Sequence, residues 1–237
     1  LAFTGAGLSA ALGYPLWGRL IARMDERLAS LIAAGRRPVP PKYHAKLASI
    51  GDELWRADVL RAHLEEEDYR SFLAEQFAAR AGGPTDAQRA LLGIGCRHYL
   101  TTNYDRSLEE ALLAHERVAG SLQVVDWRDD AGLGRFFCAL SGGAGDTYLV
   151  HVHGRIDQPD GCVLTERDYV ARYVRNDETS RKLFAIFLTQ PVLFVGFSMT
   201  DPELGYLLRG ARASLRDAEP RHFAIMPADG TTDEELV

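Results

Sequence analysis

Leu1-Ala2-Phe3-Thr4-Gly5-Ala6-Gly7-Leu8-Ser9-Ala10 opens the chain, and its reading decides the fold. Leu1 to Phe3 has the apolar character of the end of a buried strand. Gly5 to Ala10 fits G-x-G-x-x-G/A between a strand and a helix, where glycines let the backbone approach a pyrophosphate and a helix N-terminus stabilises its charge. Taken alone, the pattern is also that of an ordinary tight turn. Leu8 to Leu12 is expected as a short helix, stopped by Gly13 and Pro15. A dehydrogenase would run on into a second strand with an acidic residue about 20 positions later. Here Leu16 to Leu92 carries helical periodicity instead, clearest at Tyr69, Phe72, Leu73 and Phe77, so Asp25 and Glu26 are poor ribose binders.

Working outward, strand and helix signals alternate. Strands are expected over Arg97–Thr101, Leu122–Trp127, Tyr148–Val152, Val192–Val195 and His222–Met226. Helices are expected at Leu108–Leu113 and after Pro202, with Asp129–Leu140 a helix or an irregular connection. Short apolar strands between helices predict an α/β fold: a doubly wound, Rossmann-like parallel sheet with helical insertions. The expected organisation is a single domain over residues 1–237, cut from a longer protein, with a helical insertion at 18–95 and a smaller one at 155–190.

Three further motifs fall at expected strand ends, where such sheets bind ligands. In Thr101-Thr102-Asn103-Tyr104-Asp105, Asp105 or Asn103 either caps the next helix or contacts a ligand. An amide at Asn103 can hold a water or a ribose hydroxyl, and Asp105 can accept from a carboxamide. His151-Val152-His153-Gly154 places two histidines on one side of a strand, a metal pair in principle. No cysteine or clear carboxylate partner stands nearby, and His153, last before a glycine turn, reads better as a general base. Gly196-Phe197-Ser198-Met199-Thr200-Asp201-Pro202 approaches the G-x-S-x-G nucleophile elbow, but Thr200 replaces the final glycine. A helix N-terminus capped by Ser198 or Asp201, or contact of Gly196 and Ser198 with a ribose or phosphate, are the other readings.

Bulk properties narrow the classes. The net charge of −6 and the interleaving of Arg19–Arg37 with Asp25 and Glu26 argue against nucleic-acid binding. The three cysteines, Cys96, Cys138 and Cys162, form no CxxC pair, which supports neither a zinc ribbon nor a disulfide framework and fits a cytoplasmic setting. No stretch has the length and apolarity of a membrane span.

In order, these motifs resemble the sirtuins. Phe3-Thr4-Gly5-Ala6-Gly7-Leu8-Ser9 with Gly13-Tyr14-Pro15-Leu16-Trp17 is similar to the sirtuin cofactor loop. Thr101–Asp105 is similar to T-Q-N-I-D, His153-Gly154 to the catalytic HG, and Gly196-Phe197-Ser198 to the later G-T-S element. Val163–Tyr169 and Phe197–Pro202 resemble the bacterial sirtuin-like branch of anti-phage defence. That resemblance implies hydrolysis of NAD, as substrate, to nicotinamide and ADP-ribose. It also implies a fused or associated sensor domain, control by homo-oligomer assembly, no metal, and no direct contact with nucleic acid or membrane. It assigns Asn103, Asp105 and His153 to catalysis, and Gly5, Ala6, Gly7, Ser9, Trp17, Thr102, Gly196, Ser198 and Asp201 to the dinucleotide. The phosphates would sit on backbone N–H groups of Gly5, Ala6, Gly7 and Ser9, and Trp17 would shield the cationic ring. Departures are the missing CxxC pairs of the zinc module, Leu16-Trp17-Gly18 where deacylases carry D-F-R, and no asparagine match around Met226-Pro227 for the adenosine ribose. Protein deacylation and non-catalytic nucleotide sensing are the alternative functions.

Overall fold

The computed structural model describes residues 1–47, 49–118, 121–142, 145–175, 178–197, 202–215 and 222–226. Its centre is a parallel sheet built from β1 (Ala2–Thr4), β2 (Tyr99–Thr101), β3 (Leu122–Asp126), β4 (Thr147–His151), β5 (Leu193–Val195) and β6 (Phe223–Ile225). The strand order is β3-β4-β2-β1-β5-β6, and every adjacent pair runs parallel. From β1 the chain adds β2, then β3 at the edge and β4 between them, before crossing to β5 on the other side. The reversal leaves a crevice beyond the carboxyl ends of β1 and β5, the usual ligand position in a doubly wound sheet.

Side chains alternate across the sheet, as the pleat requires. Phe3, Leu100 and Val150 face one way, against α7 (Asp130–Leu140), α9 (Glu178–Thr189) and α10 (Pro202–Leu215). Ala2, Tyr99 and Leu149 face the other way, against α5 (Asp86–Gly93) and α6 (Ser107–Leu113). Covering both faces is what lets short apolar runs such as Tyr99–Thr101 serve as strands.

Between β1 and β2 the chain builds a helical layer from α1 (Trp17–Ala33), α2 (Pro41–Leu47), α3 (Glu53–Ala62) and α4 (Glu66–Gln76). Leu20, Ile21, Met24, Leu28 and Leu31 of α1 recur at helical spacing and are buried. They close a core of their own with Leu60, Phe72 and Leu73, to which Tyr104 of the sheet's loop contributes. Asp52 caps α3 by accepting from Trp55 N, and Thr85 caps α5 in a capping box with Gln88. After β4, residues 155–189 carry α8 (Glu166–Tyr169), a π-helical continuation over Val170–Arg175, and α9.

Two local expectations change. Leu8–Leu12 is not a single helix: 3-10 turns at Ala6–Leu8 and Ala10–Leu12 meet at Ser9. Gly13 and Pro15 leave too few residues for an α-helix, and α1 begins only at Trp17. No helix N-terminus of α-helical length therefore stands directly behind the glycine loop. Likewise β4 ends at His151, so His153 lies in the following turn and the two histidines do not share a strand face.

Candidate active site

The loop after β1 is locked to the loop after β5. Gly5 N donates to Val195 O and Gly7 N to Gly196 O, both at 2.9 Å. Gly196 has a φ of +75°, and a Cβ added there would lie 2.4 Å from Leu8 N, so only glycine lets the two backbones meet. Within the turn, Leu8 N bonds Gly5 O and Ser9 N bonds Ala6 O, each at 3.1 Å. The amides of Gly5, Gly7 and Ser9 are thus engaged by the fold, and Ala6 N is the loop amide these bonds leave over.

A buried polar cluster joins this loop to the end of β2. Asn103 Nδ2 donates to Gly5 O and to Ser9 Oγ, both at 3.0 Å. Ser9 Oγ donates to Asp105 Oδ1 at 3.2 Å and lies 3.1 Å from Ser107 Oγ. Asp105 Oδ1 also accepts from Ser107 N at 2.9 Å, securing the first turn of α6. Gln88 of α5 completes the set by donating from Nε2 to Ser107 Oγ at 3.1 Å. Capping and site formation are one arrangement here, not alternatives: the Asp105 oxygen that secures α6 belongs to a residue lining the cavity.

The two histidines part company. His151 is 1% exposed, and its Nδ1 donates to the carbonyl of Asn103 at 3.0 Å. Burial lowers its pKa, so the ring stays neutral and acts as a strut under the Asn103 backbone. His153 lines the cavity, and its Nε2 sits 2.7 Å from Tyr173 Oη. Gly154 follows with a φ of +86°, packed so closely on Gly161 that an added Cβ would lie 2.2 Å from its oxygen. Behind this turn Arg172 is 3% exposed and stacks on Trp127, its Cζ 3.2 Å from the ring centre. Burial pushes its guanidinium down to about 9, still cationic at neutral pH.

The helical layer forms the opposite wall. Tyr14 stacks on Phe77 at 6.3 Å between ring centres, and Phe77 meets Tyr104 edge-on at 5.2 Å. Burial, then the charge of Asp105, raises the Tyr14 phenol above its usual range, so it remains protonated. Leu16, Trp17, Leu20 and the start of α3 with Gly51 and Asp52 before it complete the wall.

Between sheet ends and helical wall lies a cavity of about 650 Å³, within the usual size of a small-molecule site. Gly5, Ala6, Gly7, Ser9, Trp17, Thr102, Asn103, Asp105, His153 and Gly196 all line it. Ser198 and Asp201 lie outside the described residues. Lining residues that sequence reasoning did not select include Asp52, Glu53, Phe77, Tyr104, Tyr169 and Phe197. Tyr14, Tyr104, Tyr169 and Phe197 fall within the sirtuin-like motif stretches, so a signal for them existed, whereas Asp52, Glu53 and Phe77 come from the helical layer. Asp52, Glu53 and Asp105 give the lining carboxylates, and no lysine or arginine stands among its described residues. Among the described residues, no group of three or more His, Cys, Asp and Glu could hold a metal ion. Nor is any described helix long and apolar enough to cross a membrane.

A family model described as a SIR2-like domain matches residues 97–237, the stretch carrying Asn103, Asp105, His153 and Gly196. The chain belongs to the SIR2-like domain family. The glycine loop and helical layer of this SIR2-like domain precede the matched stretch, but alignments with relatives extend across them. NAD(+) hydrolase ThsA of Bacillus cereus (strain MSX-D12) is 25% identical over 234 residues, which is 99% of this chain and 44% of the relative. ThsA of Acinetobacter baumannii (strain 532279) is 25% identical over 241 residues, again 99% of this chain and 44% of the relative. Defense-associated sirtuin 2 of Bacillus subtilis is 23% identical over 238 residues, 99% of this chain and 21% of the relative. The SIR2-like domain thus spans less than half the length of these relatives.

Proposed function

We propose that this domain hydrolyses the nicotinamide–ribose bond of NAD⁺ to nicotinamide and ADP-ribose, as the effector of an antiviral defence protein. The observation that carries this reading is the convergence of Ala6, Asn103, Asp105 and His153 on one cavity inside a SIR2-like domain. Relatives aligned along almost the whole chain bear the name NAD(+) hydrolase, which points the same way.

Cleavage of an N-glycosidic bond develops oxocarbenium character at the ribose. The bonding pair leaves with the nicotinamide nitrogen and cancels its positive charge. Water then bonds to the anomeric carbon, and its proton passes to His153. Asp105 has Oδ1 engaged by Ser9 and Ser107, which leaves Oδ2 for the carboxamide of the leaving group. Asn103 has Nδ2 engaged, so its Oδ1 is the atom that would orient a ribose hydroxyl or the attacking water. Ala6 N–H would meet the pyrophosphate, Trp17 would cover the cationic ring, and Ser198 would hold the adenosine-side ribose. The carboxylates of Asp52, Glu53 and Asp105 suit a substrate whose reactive ring is a cation. In this reading the domain acts in the cytoplasm and is restrained by an attached or associated sensor domain or by homo-oligomer assembly, since unchecked loss of NAD would harm the cell.

The test is chromatography of NAD⁺ incubated with the purified chain. His153→Ala and Asn103→Ala should each lower nicotinamide release by about 10²-fold or more while the thermal melt stays cooperative. Unchanged release in both variants would overturn the reading. NAD consumption that requires an added acyl-lysine peptide would make the domain a deacylase. Calorimetric binding of NAD without product would make it a sensing module.

A further inference from the structure

His153 leaves β4 on a turn, and an imidazole there rotates about two side-chain bonds unless partners fix it. The hydrogen-bonding partner comes from the segment that directly follows the Val163–Tyr169 stretch. Val170–Arg175 is π-helical, a rare winding that is frequent at functional sites. Two consecutive residues of this segment grip two consecutive residues of the turn. Arg172 Nη2 donates to Val152 O at 3.2 Å, and Tyr173 Oη meets His153 Nε2 at 2.7 Å. Each grip is itself held. The Arg172 guanidinium lies on Trp127, with its Cζ also 5.8 Å from the centre of the Tyr173 ring. Ser180 Oγ donates to Tyr173 O at 3.2 Å. Tyr169 packs edge-on against the His153 ring at 5.4 Å and lines the cavity, whereas Tyr173 does not line it.

We propose that Tyr173 is a positioning residue for His153, its hydroxyl fixing the ring so that one edge is kept toward the cavity to accept a proton. For the other ring nitrogen to accept a proton, Nε2 must carry the ring hydrogen and donate to the Tyr173 hydroxyl, and it stays a donor when the imidazole is protonated, so the contact survives the change. Tyr173 touches no reacting atom; it acts through His153. The catalytic part of this inference rests on the NAD-hydrolase reading, while the fixing of the ring does not.

The experiment compares the chain with Tyr173→Phe, which keeps the ring packing and removes the hydroxyl. Misplacing a catalytic group by about 1 Å can cost on the order of 10²-fold, so kcat for nicotinamide release should fall about 10- to 100-fold, with KM for NAD⁺ within about twofold. The midpoint of thermal unfolding should stay close to that of the unsubstituted chain. In a second arm without NAD, nitrogen-15 spectra of the histidine side chains should show the His153 Nε2 resonance shifted or broadened in Tyr173→Phe, with His153→Ala used to assign it. An unchanged kcat overturns the proposal. So does a fall in kcat matched by a rise in KM or a lowered melt, which marks a merely structural role. An unmoved His153 resonance overturns it as well. If the unsubstituted chain releases no nicotinamide, the hydrolase reading fails and the resonance arm alone decides whether Tyr173 fixes the ring.

Discussion

Asn103 shows how little of a polar side chain is left for a ligand once the fold has used it. Both hydrogens of its amide go to Gly5 O and Ser9 Oγ, so a residue that lines the cavity also ties β2 to the loop after β1. Gly196 works at the same seam from the other side. Replacing it with alanine forces a side chain into a left-handed backbone and against Leu8 N. Strain of that kind costs about 1–3 kcal/mol, and relief requires the glycine loop to move. Gly196→Ala should therefore unfold at lower urea concentration and raise KM for NAD⁺, both measurable on one preparation. An alanine variant with the midpoint and KM of the parent would show that the seam has slack.

At the scale of elements, α5 reaches the site without lining it. Gln88 is fully buried; its Oε1 accepts from Thr85 N in the capping box and its Nε2 donates to Ser107 Oγ. Gln88→Leu removes both bonds, leaving the part-buried Thr85 N without its acceptor and the buried Ser107 Oγ with one partner fewer, at a cost of about 1–3 kcal/mol. Denaturant unfolding should report that loss. Nicotinamide release should fall too, because Ser107 would lose the anchor behind Ser9 and Asp105. The parallel strands were legible in the sequence because Val192–Val195 reads as a continuous apolar run and Tyr99–Thr101, buried throughout, lies between helix signals. The link through Gln88 was not, since its only local signature is a helix cap. Nor was Tyr173: its contact with His153 depends on the winding of Val170–Arg175 and on how that segment packs against the turn.

Across the whole molecule, the motif spacing placed the glycine loop, Asn103, Asp105 and His153 around one cavity because all follow parallel strands. The wall made by Tyr14, Phe77 and Asp52–Leu54 arises from packing of a helical layer with its own core, which no local pattern encodes. Global stability should also carry a histidine signature. His98 is 4% exposed, accepts from Tyr148 N, and burial lowers its pKa from 6.5 to about 4. Below pH 6.5 the unfolded chain takes up a proton that the folded chain refuses, so stability present above that pH is lost as the pH falls toward 4. The shift corresponds to roughly 3 kcal/mol at most. Urea midpoints between pH 7.5 and 4.5 should drop more steeply for the parent than for His98→Asn, which keeps an acceptor for Tyr148 N. Parallel slopes would refute this origin.

The carboxylate-lined chamber without a described lysine or arginine has a consequence for anyone designing a blocker. Phosphate groups added to a compound would meet no lysine or arginine among the described lining residues, whereas a fixed positive ring near Asp52, Glu53 and Asp105 would meet an attractive field. Potency would be sought in cationic, phosphate-poor scaffolds.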